Sequence, residues 1–186
     1  MDQAELLSYL LDVLESGHFR YGITGSHATM AYGESRFTND IDVVMELDAA
    51  SFERFRAAFP FPDFYINEGA TVAVARGGMF NVVRPDSGLK IDVIVPEKDF
   101  DRQQLNHVVR APVNPAGRMA SFISPEDVII KKMAAYNEGE SDKHLRDITG
   151  VLKSLGPRVN RPYIEQWADR LQYRHIWDAV VARVDP

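Results

Sequence analysis

The chain contains no cysteine, which excludes disulfides, thiolate zinc sites and cysteine nucleophiles and fits a reducing compartment. No apolar run approaches the roughly 20 residues that a helix needs to cross a bilayer. The opening residues, Met1-Asp2-Gln3-Ala4-Glu5, lack the basic character of a secretory leader. A cytoplasmic location with no membrane partner is the expectation. Internal repeats and low-complexity tracts are also missing, and so is an excess of positive charge: 21 Lys and Arg face 27 Asp and Glu, for a net charge of −6. What remains is 186 residues with 45% apolar and 26% charged content. That is enough chain to bury a core in one domain, or in a catalytic domain with a small appended helical lobe.

The charge is unevenly placed. Residues 1–100 hold 8 Lys and Arg against 16 Asp and Glu, a balance of −8, whereas residues 101–186 hold 13 against 11, a balance of +2. The second half permits a polyanionic partner such as RNA without arguing for one, because its bases are interleaved with acids.

Against this background one run stands out. A strand at residues 21–24 ends in Gly25-Ser26, a helix-like segment follows, and a second strand at residues 41–45 carries Asp40 and Asp42. Residues two apart on a strand share a face, so both carboxylates can reach the same cations, and hard carboxylate oxygens with substrate phosphates are what Mg2+ prefers. A third acid, Asp92, sits in the apolar segment Leu89-Lys90-Ile91-Asp92-Val93-Ile94-Val95, closed by Pro96. Burying one unpaired carboxylate is costly, and the cost disappears if this strand lies beside the Asp40/Asp42 strand. A Gly-Ser turn alone is more often a plain turn and helix cap, and acids at strand ends are common. The ordered set points to metal-assisted phosphate chemistry.

The order Gly25-Ser26, Asp40-Ile41-Asp42, Asp92 resembles the signature of the polymerase-β-like nucleotidyltransferase superfamily. Within it, Arg36-Phe37-Thr38-Asn39-Asp40-Ile41-Asp42 is similar to the small bacterial AbiEii-type toxins and their relatives. So are Ser124-Pro125-Glu126-Asp127-Val128-Ile129-Ile130-Lys131-Lys132 and Lys143-His144-Leu145-Arg146-Asp147-Ile148, and the resemblance covers roughly residues 20 to 150.

The resemblance implies an enzyme that moves a nucleoside monophosphate from an NTP to a hydroxyl acceptor. Gly25 and Ser26 would bind the triphosphate. Asp40, Asp42 and Asp92 would be catalytic and hold Mg2+, two ions with Mn2+ as a substitute, and Asp92 would also serve as base. Arg36, Thr38 and Lys132 would add nucleotide contacts. The acceptor would be RNA, tRNA in particular, in a toxin-like role with an antitoxin partner. An aminoglycoside-like small molecule or a protein is the alternative acceptor, and a non-catalytic nucleotide-binding module is the reading from a different class.

Other residues read more plainly. His27 suits packing or capping near the helix start, Arg36 suits a solvated loop as well as a phosphate, Lys131 a helix surface, and Lys143 with Asp147 an ion pair one helical turn apart.

The expected fold is α/β, a short mixed sheet flanked by helices with a C-terminal helical lobe, the catalytic core spanning residues 1–117 and the lobe 118–186. Leu6, Leu7, Leu10, Leu11 and Leu14 predict an amphipathic helix over residues 4–14, and Asp48 and Ser124 predict helix N-caps. Residues 65, 70–75, 79–84 and 89–95 read as strands, one hairpin turning at Gly77-Gly78. Residues 97–117 are polar and read as a hinge with a strand near 108–113. Helices are expected near 142–155, 160–171 and 174–183.

Overall fold

Five leucines at helical spacing bury one face of α1 (Gln3–Ser16), which opens on Asp2 with a capping box to Glu5 and ends at Gly17. The computed structural model describes residues 1–33, 40–114, 116–139 and 141–184. It divides into two compact units, one of Met1–His27 and Phe37–Phe122, the other of Ala28–Arg36 and Ile123–Pro186.

In the first unit, β1 (Tyr21–Ile23) leads into α2 (Gly25–Tyr32), whose first three residues belong to this unit. Then come β2 (Asp40–Met45), α3 (Ala49–Ala57), β3 (Tyr65–Ile66), α4 (Ala70–Arg76), β4 (Gly78–Val83), β5 (Lys90–Val95), α5 (Asp99–Gln104), β6 (Val109–Pro112) and β7 (Met119–Phe122). All seven strands form one mixed sheet in the order β3-β4-β5-β2-β1-β7-β6.

Alternation decides how the centre of this sheet faces. Ile41, Val43, Phe80, Ile91 and Val93 are fully buried on one face. Phe80 meets Phe52 and Phe55 of α3 with ring centroids 5.6 and 6.2 Å apart. Phe59 and Phe64 extend the cluster to Tyr9 of α1, whose hydroxyl donates to the Ala58 carbonyl at 2.5 Å. Each such side chain contributes on the order of 1.5–3 kcal/mol through burial. Asp40, Asp42, Lys90 and Asp92 have the opposite parity and therefore share the other face.

Two expectations are corrected. Residues 70–75 form the helix α4 rather than a strand: Ala70 and Ala73, three apart, are its buried positions, and Val72 stays exposed. Alternating Ala and Val fit either period over so short a run. Gly77 (φ +84°) and Gly78 (φ +125°) accordingly join α4 to β4, and the hairpin is β4 with β5. The polar segment 97–117 carries the short helix α5, which buries Phe100 and Gln104, and β6 pairs with β7, a strand the sequence did not announce.

In the second unit, α6 (Pro125–Gly139), α7 (Asp142–Leu155), α8 (Arg161–Arg170) and α9 (Arg174–Val184) pack together, and residues 28–32 of α2 belong to the same unit. Their inner faces bury Val128, Ile129, Met133, Ile148, Val151, Leu152, Ile164 and Trp177. Ser124 caps α6, its hydroxyl accepting from the Asp127 amide at 3.1 Å. Among the described residues no helix is long and apolar enough to cross a membrane.

Candidate active site

The sheet brings the three acids onto neighbouring strands. β2 and β5 run parallel, with Asp40 beside Lys90 and Asp42 beside Asp92. Parity places all four side chains on one face. Asn81 of β4, opposite Asp92 in the antiparallel register, joins them.

The Gly-Ser turn meets the same point. Gly25 has φ +60°, a conformation that favours glycine. A Cβ there would lie 2.0 Å from Asp42 Oδ2 and 2.5 Å from its carboxyl carbon, so only a residue without a side chain fits against this carboxylate. The Thr24 amide donates to the Asp42 carbonyl at 2.9 Å, which fixes the turn on β2. Ser26 follows and is buried. Burial pushes the His27 imidazole below its ordinary pKa, opposed by a hydrogen bond to the Asp40 backbone, so His27 is a packed, bonded residue of the kind the sequence suggests.

Asp92 is 7% exposed and both its oxygens are engaged. Asn81 Nδ2 donates to Oδ1 at 2.5 Å, and Lys90 Nζ lies 3.0 Å from Oδ2. The same ammonium is 3.7 Å from Asp40 Oδ2. Its hydrogen bond to Asp92 raises the Lys90 pKa most, and the charges of Asp92, Asp40 and Asp42 add to this. Lys90 and Asn81 went unremarked in the sequence. Lys90 had a usable signal, standing two residues before Asp92 on the same strand. Asn81, one polar residue among Phe80, Val82 and Val83, had only its isolation.

Among the described residues no three His, Asp or Glu side chains are gathered closely enough to hold a metal ion. The acids are spaced around the Lys90 ammonium. The donor set nonetheless fits a hard divalent cation: carboxylates in register on adjacent strands, one of them against a backbone with no Cβ in the way.

Lys132 belongs to the second unit, where its ammonium is 2.6 Å from Asp147 Oδ2, with the two side chains 10% and 9% exposed. Asp147, for which the sequence suggested Lys143, thus has Lys132 as a partner. Arg36 and Thr38 lie outside the described residues.

No family model and no curated protein matches the chain, but solved structures do. ANT(2'')-Ia in complex with adenylyl-2''-tobramycin matches with a TM-score of 0.64 at 18% identity, over 94% of this chain and 98% of that one. A nucleotidyltransferase-like protein from Paracoccidioides brasiliensis matches with 0.53 at 20% identity, over 96% and 91%. The lincosamide antibiotic adenylyltransferase LnuA, bound to lincomycin, matches with 0.55 at 14% identity, over 81% and 96%. At such identities the likeness is one of architecture, and it establishes that this chain has the polymerase-β-like nucleotidyltransferase fold.

Proposed function

We propose that the protein is a metal-dependent nucleotidyltransferase that moves a nucleoside monophosphate from an NTP to a hydroxyl acceptor. The observation that carries this reading is Asp42 in register with Asp92 on parallel strands, with the Gly25 backbone against the Asp42 carboxylate. In the reaction the acceptor oxygen attacks the α-phosphorus, the α–β phosphoanhydride bond breaks and pyrophosphate leaves.

In this reading Gly25 and Ser26 bring backbone donors to the phosphates, as the glycine lets substrate approach the main chain. Asp92, gripped by Asn81 and Lys90, is oriented to take the proton of the attacking hydroxyl. Lys90 offsets the mutual repulsion of the carboxylates and keeps them in place before substrate arrives. Asp40, Asp42 and Asp92 would hold Mg2+ or Mn2+, which supplies Lewis-acid stabilisation of the phosphoryl charge. Arg36, Thr38 and Lys132 are assigned to nucleotide binding on the AbiEii-like resemblance of the segments that contain them.

Two acceptors are carried. RNA in a toxin-like role, with an antitoxin partner, rests on that resemblance. A small molecule bearing a hydroxyl is supported by two of the solved structures named above, which hold an adenylylated aminoglycoside and a lincosamide. The test is incorporation of α-labelled ATP, CTP, GTP and UTP with Mg2+, first into total RNA and then into a panel of aminoglycosides and lincosamides, with Asp40→Ala/Asp42→Ala protein as blank. A labelled tRNA-sized band identifies the RNA enzyme, and a labelled antibiotic identifies the small-molecule enzyme. Absence of label in every arm rules out both acceptors and leaves a protein acceptor or a non-catalytic nucleotide-binding module.

A further inference from the structure

The same two strands that carry the acids at their amino ends run into a second feature at their carboxyl ends. A cavity of about 570 Å³ lies in the first unit where β2 passes into Glu46 and β5 ends at Val95 and Pro96. Four residues separate Asp42 from Glu46 and Asp92 from Pro96, about 13 Å along a strand. Four arginines line it: Arg20, Arg54, Arg76 and Arg102.

Among the described residues two acids, Glu46 and Asp48, share that lining, and both are bonded. Glu46 accepts from Arg20 at 2.7 Å, and Asp48 accepts from the Ser51 amide at 2.7 Å as the cap of α3. Arg54 stacks over the Phe19 ring at 5.3 Å and donates from one guanidinium nitrogen to the Gly17 carbonyl at 3.4 Å. Arg102 has an exposed contact with Asp99 at 3.8 Å. No ionic partner is found for Arg76 among the described residues. Glu97 abuts Gly77 at the margin and is exposed. The cavity is thus a cationic concavity in a half of the chain whose net charge is −8.

We infer that this cavity is a second binding site, for a phosphate-bearing anion of nucleotide size, distinct from the acid cluster and independent of divalent metal. Guanidinium forks match phosphate oxygens in bidentate pairs, and several of them around one concavity suit a multiply charged group. The volume lies in the range of small-ligand sites, and Leu47, Val74 and Pro96 give it an apolar wall for the rest of the ligand. The phosphate can come from a free phosphorylated molecule or from the backbone of an RNA strand. The inference does not depend on the transferase reading.

The test is titration of the full chain with inorganic pyrophosphate in EDTA, followed by calorimetry and by backbone amide NMR, with chloride at equal ionic strength as control. Saturable binding is expected, with shifts centred on Phe19, Gly77 and Arg102. Arg76→Gln/Arg102→Gln should weaken it at least tenfold, and Asp42→Asn should leave it unchanged. Arg102→Glu, at an exposed position, is the second variant should the double one misfold. Binding no different from chloride, shifts centred on Gly25 and Ser26, or affinity retained in the arginine variants overturns the site. A competing arm with an octameric oligouridylate names the source. Displacement of pyrophosphate at lower concentration than a mononucleotide requires identifies a strand, and the reverse order identifies a free phosphorylated molecule.

Discussion

Two lysine–carboxylate contacts, one in each unit, are built in opposite ways. Lys132 and Asp147 form a close pair at 2.6 Å, with both side chains about nine-tenths buried. Lys90 is one-third exposed and shared, 3.0 Å from Asp92 and 3.7 Å from Asp40, on a face that also carries Asp42. The first pair balances its charges in a dry setting, where neither partner can be lost cheaply. The second shares one ammonium between two carboxylates, on a face with access to water. An enclosed pair contributes to stability whatever else it meets, whereas an open, shared ammonium leaves its carboxylates within reach of a cation.

The largest effect that separates the two belongs to the cluster. Asp42→Asn should lower nucleotidyl transfer about a thousand-fold, the scale on which a single electrostatic stabiliser acts. Its thermal midpoint should change little, because asparagine keeps the shape of the aspartate side chain. A loss of activity that tracks a loss of folding, seen by circular dichroism, would erase the distinction.

In the second unit the effect should fall on stability. Asp147→Ala strands the Lys132 ammonium among buried side chains and should cost about 3–5 kcal/mol in urea unfolding. Lys132→Met/Asp147→Leu should recover most of that. Failure of the double variant to recover would assign the loss to packing instead of charge.

A smaller effect is expected for Lys90→Met. Partial exposure limits the loss to about 1 kcal/mol without divalent cation, and Mg2+ should raise the variant's thermal midpoint more than it raises that of the wild type. Equal Mg2+ responses would mean that Lys90 and the cation do not occupy the same electrostatic niche.

The smallest concerns His27. Burial holds its folded pKa below the ordinary imidazole value of about 6.5, so protonation favours the unfolded chain. The stability it contributes is complete above that value and is lost as pH falls below it towards the folded pKa. Thermal midpoints between pH 7.5 and 5.5 should therefore fall less steeply in His27→Gln than in the wild type.

Much of this was legible in the residues. The parity of Asp40 and Asp42, and the lone acid in a run of Ile and Val, put the acids on one face before any strand was paired. Asp48 and Ser124 announced their helices because a short polar side chain before an apolar-periodic segment has one good use. Residues 70–75 misled because alternating Ala and Val satisfy two periods at once, and tertiary contact decided between them. The four residues of β7 carry too little pattern to be seen. The arginine cavity was invisible for a different reason: residues 20, 54, 76 and 102 are scattered through chain that is acidic on average, and only folding collects them.

Parallel pairing of β2 and β5 has a consequence for how such a protein can change. A slip of one residue between these strands would exchange their faces, sending Asp92 into the phenylalanine cluster and Ile91 out to the acids. The hydrophobic packing that resists this slip is therefore also the alignment gauge of the chemistry. A variant that loosens the core at Ile91 or Val93 can silence the acids without touching them, and substitutions on the two faces of these strands cannot be inherited as independent events.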